Sequence, residues 1–63
     1  MIFYRVTVTY TDGTEETFSY VAEARIVDGT LKLLEPRSQF SGNQTMIAAF
    51  PLVNIRKWTK AEM

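Results

Sequence analysis

The 63-residue chain contains no cysteine and no histidine. Without cysteine there is no disulfide, without either residue the ordinary zinc ligands are missing, and a serine nucleophile has no imidazole to activate it. With three glycines and two prolines there is no glycine-rich loop to cradle a phosphate. The acidic residues form no paired-carboxylate arrangement. No apolar run approaches the roughly 20 residues of a membrane helix. The opening residues read as a strand containing Arg5 rather than as a leader. These absences point to a non-enzymatic protein with no cofactor, no metal and no membrane partner, located in the cytoplasm.

Length sets the next limit. A chain this short is one domain spanning 1–63, and it buries only about 60% of the surface its extended form exposes. Small domains usually add a disulfide or a metal to a thin core; with both excluded, self-association is the remaining staple. Apolar residues make up 46% of the chain and aromatics 13%, so a folded core is expected, with fraying confined to 59–63.

Net charge is zero but unevenly spread. Residues 1–35 carry Arg5, Arg25 and Lys32 against Asp12, Glu15, Glu16, Glu23, Asp28 and Glu35, a net of −3. Residues 36–63 carry Arg37, Arg56, Lys57 and Lys60 against Glu62, a net of +3. Such a dipolar chain suits a second copy of itself or an acidic partner. An isoelectric point near 6.1 speaks against a dedicated sequence-independent nucleic-acid binder.

What is present is hairpin chemistry. Asp12-Gly13 and Asp28-Gly29 each lie between alternating apolar and polar runs, the strongest short-range signal for a β-hairpin. In the first run Ile2, Tyr4, Val6, Val8 and Tyr10 share one parity, and the return run places Phe18, Tyr20, Ala22, Ala24 and Ile26 on the same one. A two-residue first loop would break that apolar face. A three-residue loop, Thr11-Asp12-Gly13, restores it by pairing Tyr10 with Thr14, Val6 with Phe18 and Tyr4 with Tyr20. The same test at Asp28-Gly29 selects a two-residue type I′ turn pairing Ile26 with Leu31 and Ala24 with Leu33.

Pro36 ends the strand from Thr30 to Glu35, and 36–44 is a polar loop except for Phe40. A strand follows over Thr45 to Phe50, interrupted at Pro51, where Pro51-Leu52-Val53-Asn54 fits a single 3₁₀ turn. The last run, Leu52 to Trp58, places Val53 and Ile55 opposite Asn54, Arg56 and Trp58. Five or six short antiparallel strands in so short a chain must curl. The expected fold is an all-β meander closing into an SH3-like or Sm-like barrel.

Candidate partner-binding residues gather late in the chain. Trp58, beside Lys57 and sharing strand parity with Arg56, either closes one open end of the barrel or stands exposed among cations with Lys60. Phe40, near Arg37 in the loop, either plugs the core or anchors a contact. Phe3 and Val21 pair as a small apolar patch on an otherwise polar face. Asp12, Glu15 and Glu16 read as a solvated hairpin tip, since they lack calcium-loop spacing. Ser19, Ser38 and Ser41 lack an activating base.

Three segments carry a family likeness: Val8-Thr9-Tyr10-Thr11-Asp12-Gly13-Thr14, Val27-Asp28-Gly29-Thr30-Leu31 and Phe50-Pro51-Leu52-Val53-Asn54-Ile55-Arg56-Lys57-Trp58. In these the chain resembles short uncharacterised β-rich proteins of actinobacterial phages. The resemblance implies a viral origin and a host-cell cytoplasmic location; it assigns no activity and no site residue. The expected function is interaction with a host or viral protein, self-association, or both, with a two-fold dimer as the default. The partner surface would comprise Arg37, Phe40, Arg56, Lys57, Trp58 and Lys60. The alternative is a nucleic-acid-binding barrel using the same basic and aromatic strip.

Overall fold

The computed structural model describes residues 2–36, 42 and 44–63. Six strands run in chain order: β1 (Tyr4–Tyr10), β2 (Glu15–Val21), β3 (Glu23–Val27), β4 (Thr30–Leu34), β5 (Met46–Pro51) and β6 (Ile55–Glu62), with a 3₁₀ turn at Leu52–Asn54 before β6. They form two three-stranded antiparallel sheets, ordered β2-β1-β6 and β3-β4-β5. The all-β expectation holds. Among the described residues no ladder joins the two sheets into a closed barrel.

The chain crosses between sheets twice. At Ala22, between β2 and β3, the backbone N–H donates to the Leu34 carbonyl (2.9 Å). At the 3₁₀ turn, Leu52 N–H donates to Gly29 C=O (2.8 Å) while Asn54 C=O accepts from Thr11 N–H (3.1 Å). That turn therefore ties together the tips of both hairpins.

Both turn assignments stand. Asp28 (φ 51°) and Gly29 (φ 72°) are both left-handed, as a type I′ turn requires, and β3 pairs with β4 as Ile26↔Leu31 and Ala24↔Leu33. In the first hairpin Gly13 N–H donates to Tyr10 C=O (3.0 Å), Tyr10 N–H donates to Thr14 C=O (2.8 Å), and Gly13 has φ 92°. That is a type I turn closed by a glycine bulge.

Parity, by contrast, is not kept. Val6 pairs with Phe18, but Tyr4 pairs with Val21 rather than with Tyr20, so β2 holds one extra residue against β1. Tyr20 absorbs it at φ 60° and turns outward, leaving Val21 fully buried. A second bulge lies in β6, where Tyr10 pairs with Ile55 and Thr9 with Lys57. Ile55 and Trp58 consequently both pack on the core, although simple alternation had set them on opposite faces. Ile26 keeps its expected partner but lies on the outermost strand of its sheet, 51% exposed. The end of the chain, expected to fray over 59–63, instead forms ladder: β6 pairs with β1 as far as Glu62↔Tyr4, and Met63 N–H donates to Phe3 C=O (2.9 Å).

The core is five fully buried side chains, Val6, Val8 and Val21 from the first sheet facing Leu31 and Leu33 from the second. Around them Tyr10 and Phe18 of the first sheet meet Phe50 of the second at ring-centre distances of 5.8 and 5.6 Å. These rings bridge the layers where the backbone does not.

The first hairpin also carries two groups with shifted pKa values, Asp12 and Tyr10. The Asp12 carboxylate accepts from the Thr14 hydroxyl (2.7 Å) and the Thr14 N–H (3.0 Å), which hold it below the usual carboxylate range. The Tyr10 hydroxyl donates to Glu16 (2.7 Å), which together with desolvation and the negative charges of Glu16 and Asp12 raises its pKa. A depressed acid stabilises the fold above its unfolded pKa and ceases to do so as pH falls through the folded one. A raised phenol stabilises below its unfolded pKa, and its contribution is lost as pH rises through the folded one. The stability difference between wild type and Asp12→Ala is therefore expected to be flat from about pH 5 to 9 and to shrink in stronger acid. A difference that persisted undiminished at about pH 2 would refute the Asp12 assignment.

Candidate interaction surface

The outer face of the first sheet is polar along most of its length. Thr7 and Thr17 sit directly opposite each other with hydroxyls 3.3 Å apart, and Thr9 donates to Glu15 (3.1 Å). At one end this changes. The Phe3 ring meets the Tyr20 ring edge-on at 5.8 Å and 72°, and Met63 Sδ accepts from Tyr20 N–H (3.4 Å). The three residues meet because β1, β2 and β6 all reach this end of the sheet. The apolar patch expected from Phe3 and Val21 therefore exists with a different member: the bulge buries Val21 and presents Tyr20, 65% exposed, in its place. Left-handed backbone costs a non-glycine residue about 1–2 kcal/mol, and here the cost goes with exposing an aromatic ring.

The residues expected to bind a partner are distributed along β6. Arg56 is exposed at the bulge and its guanidinium donates to the Thr11 carbonyl (3.4 Å). Lys57 is exposed opposite Thr9. Trp58, opposite the buried Val8, is half-buried and packs against the core. Lys60 lies opposite Val6, its ammonium 4.6 Å from the centre of the Tyr4 ring, a cation–π contact. Strand alternation thus puts Trp58 and Lys60 on the core side and Lys57 on the outer side, so these residues do not make one basic, aromatic strip. Arg37 and Phe40 lie outside the described residues.

Tyr20 and Met63 are the members of this surface that sequence reasoning missed. Phe3 was visible as an apolar residue out of pattern, whereas Tyr20 carried an inward parity and Met63 lay within the stretch read as frayed. Among the described residues no strand pairs with the outer edge of β6, which ends the β2-β1-β6 sheet. Among the described residues no pocket opens, no group of three or more His, Cys, Asp or Glu side chains converges, and no helix is long and apolar enough to cross a membrane. No protein family, curated protein or solved structure matches the chain.

Proposed function

We propose that this is a non-enzymatic interaction protein that engages protein partners, a second copy of itself among them, through the Phe3–Tyr20–Met63 patch and its free strand edges. Tyr20 carries the reading. A tyrosine in left-handed backbone with most of its ring in solvent contributes little to the fold that a glycine would not, so its value lies in contact with something else. Protein interfaces favour such rigid aromatic anchors.

The same reading takes the two sheets as halves of a small SH3-like or Sm-like barrel. Support comes from the nearly continuous β2–β3 run bent at Ala22 and from the 3₁₀ turn that links both hairpin tips. It also takes the protein as viral and acting in the host cytoplasm, on the resemblance of its three segments. The opposed directions of Lys57 and Lys60 favour a protein over a nucleic-acid strand, which would draw on cations along one face.

Tyr20→Gly separates folding from binding. Glycine adopts this φ freely, which offsets the lost Phe3 contact and the added freedom of the unfolded chain, so stability should change by no more than about 1 kcal/mol. Proteins recovered with the wild type from a host lysate should be lost with this variant. Recovery of the same set at the same yield would overturn the reading.

A further inference from the structure

We infer that the free edge of β6 pairs antiparallel with β6 of a second copy, in a single register centred on Thr59. This rests on the reading above and names one partner and one surface for it. The first observation is the direction of the backbone. Met63 N–H bonds to Phe3 C=O, and Tyr10 N–H bonds to Thr14 C=O on the other side of β1. Antiparallel ladders alternate, so the odd-numbered residues Lys57, Thr59 and Ala61 exchange bonds with β1. Trp58, Lys60 and Glu62 direct their N–H and C=O groups outward, toward the edge that no described strand occupies.

The second observation is the order of charge along Arg56-Lys57-Trp58-Thr59-Lys60-Ala61-Glu62. An antiparallel two-fold pair puts residues of the same face opposite each other, so the axis must pass through a residue position. Centred on Arg56, Lys57 or Lys60, a cation meets its own copy; centred on Trp58, Arg56 meets Lys60. Centred on Ala61, the strands overlap over Lys60–Glu62 alone. Centred on Thr59, no cation meets another: Arg56 meets Glu62, Lys60 meets the Trp58 ring, and Lys57 meets the neutral Ala61. Lysines on an edge strand normally block pairing, and here they block every long register except this one. Among the described residues the chain supplies no ion-pair partner to Arg56, Lys57 or Glu62, and Lys60 is already folded over the face on which Trp58 of the second copy would arrive.

The chain's lack of cysteine makes the test direct. Thr59 would face its own copy as a non-hydrogen-bonded pair, with Cα atoms about 4.5 Å apart, a separation a disulfide spans. Under mild oxidation Thr59→Cys should give a covalent dimer. Lys57→Cys and Ala61→Cys should each stay free of cross-link alone and form a mixed covalent dimer when combined. Arg56→Glu should weaken association about tenfold, and adding Glu62→Arg should restore it. If Thr59→Cys cross-links no faster than Lys57→Cys alone, the register is wrong and the inference is overturned, even where sedimentation finds a dimer. That result leaves the interaction reading to the Tyr20→Gly comparison, which fails or survives independently of β6.

Discussion

Leu33→Ala is expected to leave the chain largely unfolded at 25 °C. Leu33 is fully buried in the middle of β4, and its neighbours across the ladder on either side are Ala24 and Ala48. It is therefore the only bulky side chain in that row of the second sheet. Truncating it opens a cavity that two methyl groups cannot fill, placing the cost near the top of the 2–5 kcal/mol range for Leu→Ala, about 4–5 kcal/mol. A domain of this size without disulfide or metal has roughly 3–5 kcal/mol in total. Leu31, equally buried, sits between Ile26 and Phe50, whose larger side chains can lean into the space, so Leu31→Ala should cost about 1–2 kcal/mol less. Amide dispersion in a proton–nitrogen spectrum distinguishes the outcomes. A well-dispersed spectrum for Leu33→Ala, or equal losses at the two positions, would show that the row collapses and that the domain has more stability in reserve than its size implies.

How much of this was legible in the sequence follows from where each constraint resides. Asp12-Gly13 and Asp28-Gly29 were readable because a turn's φ requirement is local and few residues meet it, and loop length then fixed both registers. The bulges were not readable. The extra residues are Tyr20 in β2 and Arg56 in β6, neither a glycine, and a bulge held open by its surroundings leaves no mark in composition. Each bulge reverses the face of what lies beyond it, so two local irregularities moved Tyr20 out, Val21 in and Trp58 onto the core. The sequence pattern was right on each side of a bulge and wrong across it.

The candidate surface divides the same way. Phe3 stood out because it was apolar on a threonine-rich face, and that signal survived although its partner changed from Val21 to Tyr20. The self-complementary order of charge in β6 was present in the sequence, but it acquires meaning only once β6 is known to be an outer strand, which is a property of topology. The fraying expected over 59–63 failed for the same cause. Polar terminal residues do not advertise a ladder partner, and the partner, β1, lies at the opposite end of the chain.

Phe50→Ala is expected to uncouple the two sheets. No ladder joins them among the described residues, so apart from the crossings at Ala22 and the 3₁₀ turn they are held by side chains. Phe50 is the ring of the second sheet that touches two rings of the first, Tyr10 at 67° and Phe18 at 51°. It is half-buried, so its truncation should cost about 3 kcal/mol, the low end for Phe→Ala, while Phe50→Leu, which keeps most of the volume, should cost about 1 kcal/mol. The more specific expectation concerns cooperativity. Trp58 reports on the first sheet through its fluorescence, whereas far-ultraviolet circular dichroism reports on both. In the wild type the two denaturation curves should coincide; in Phe50→Ala they should separate, because the second sheet no longer melts with the first. Coincident curves together with a loss below about 1 kcal/mol would mean that Val6, Val8, Val21, Leu31 and Leu33 suffice to join the layers, and that the aromatic bridge is incidental to it.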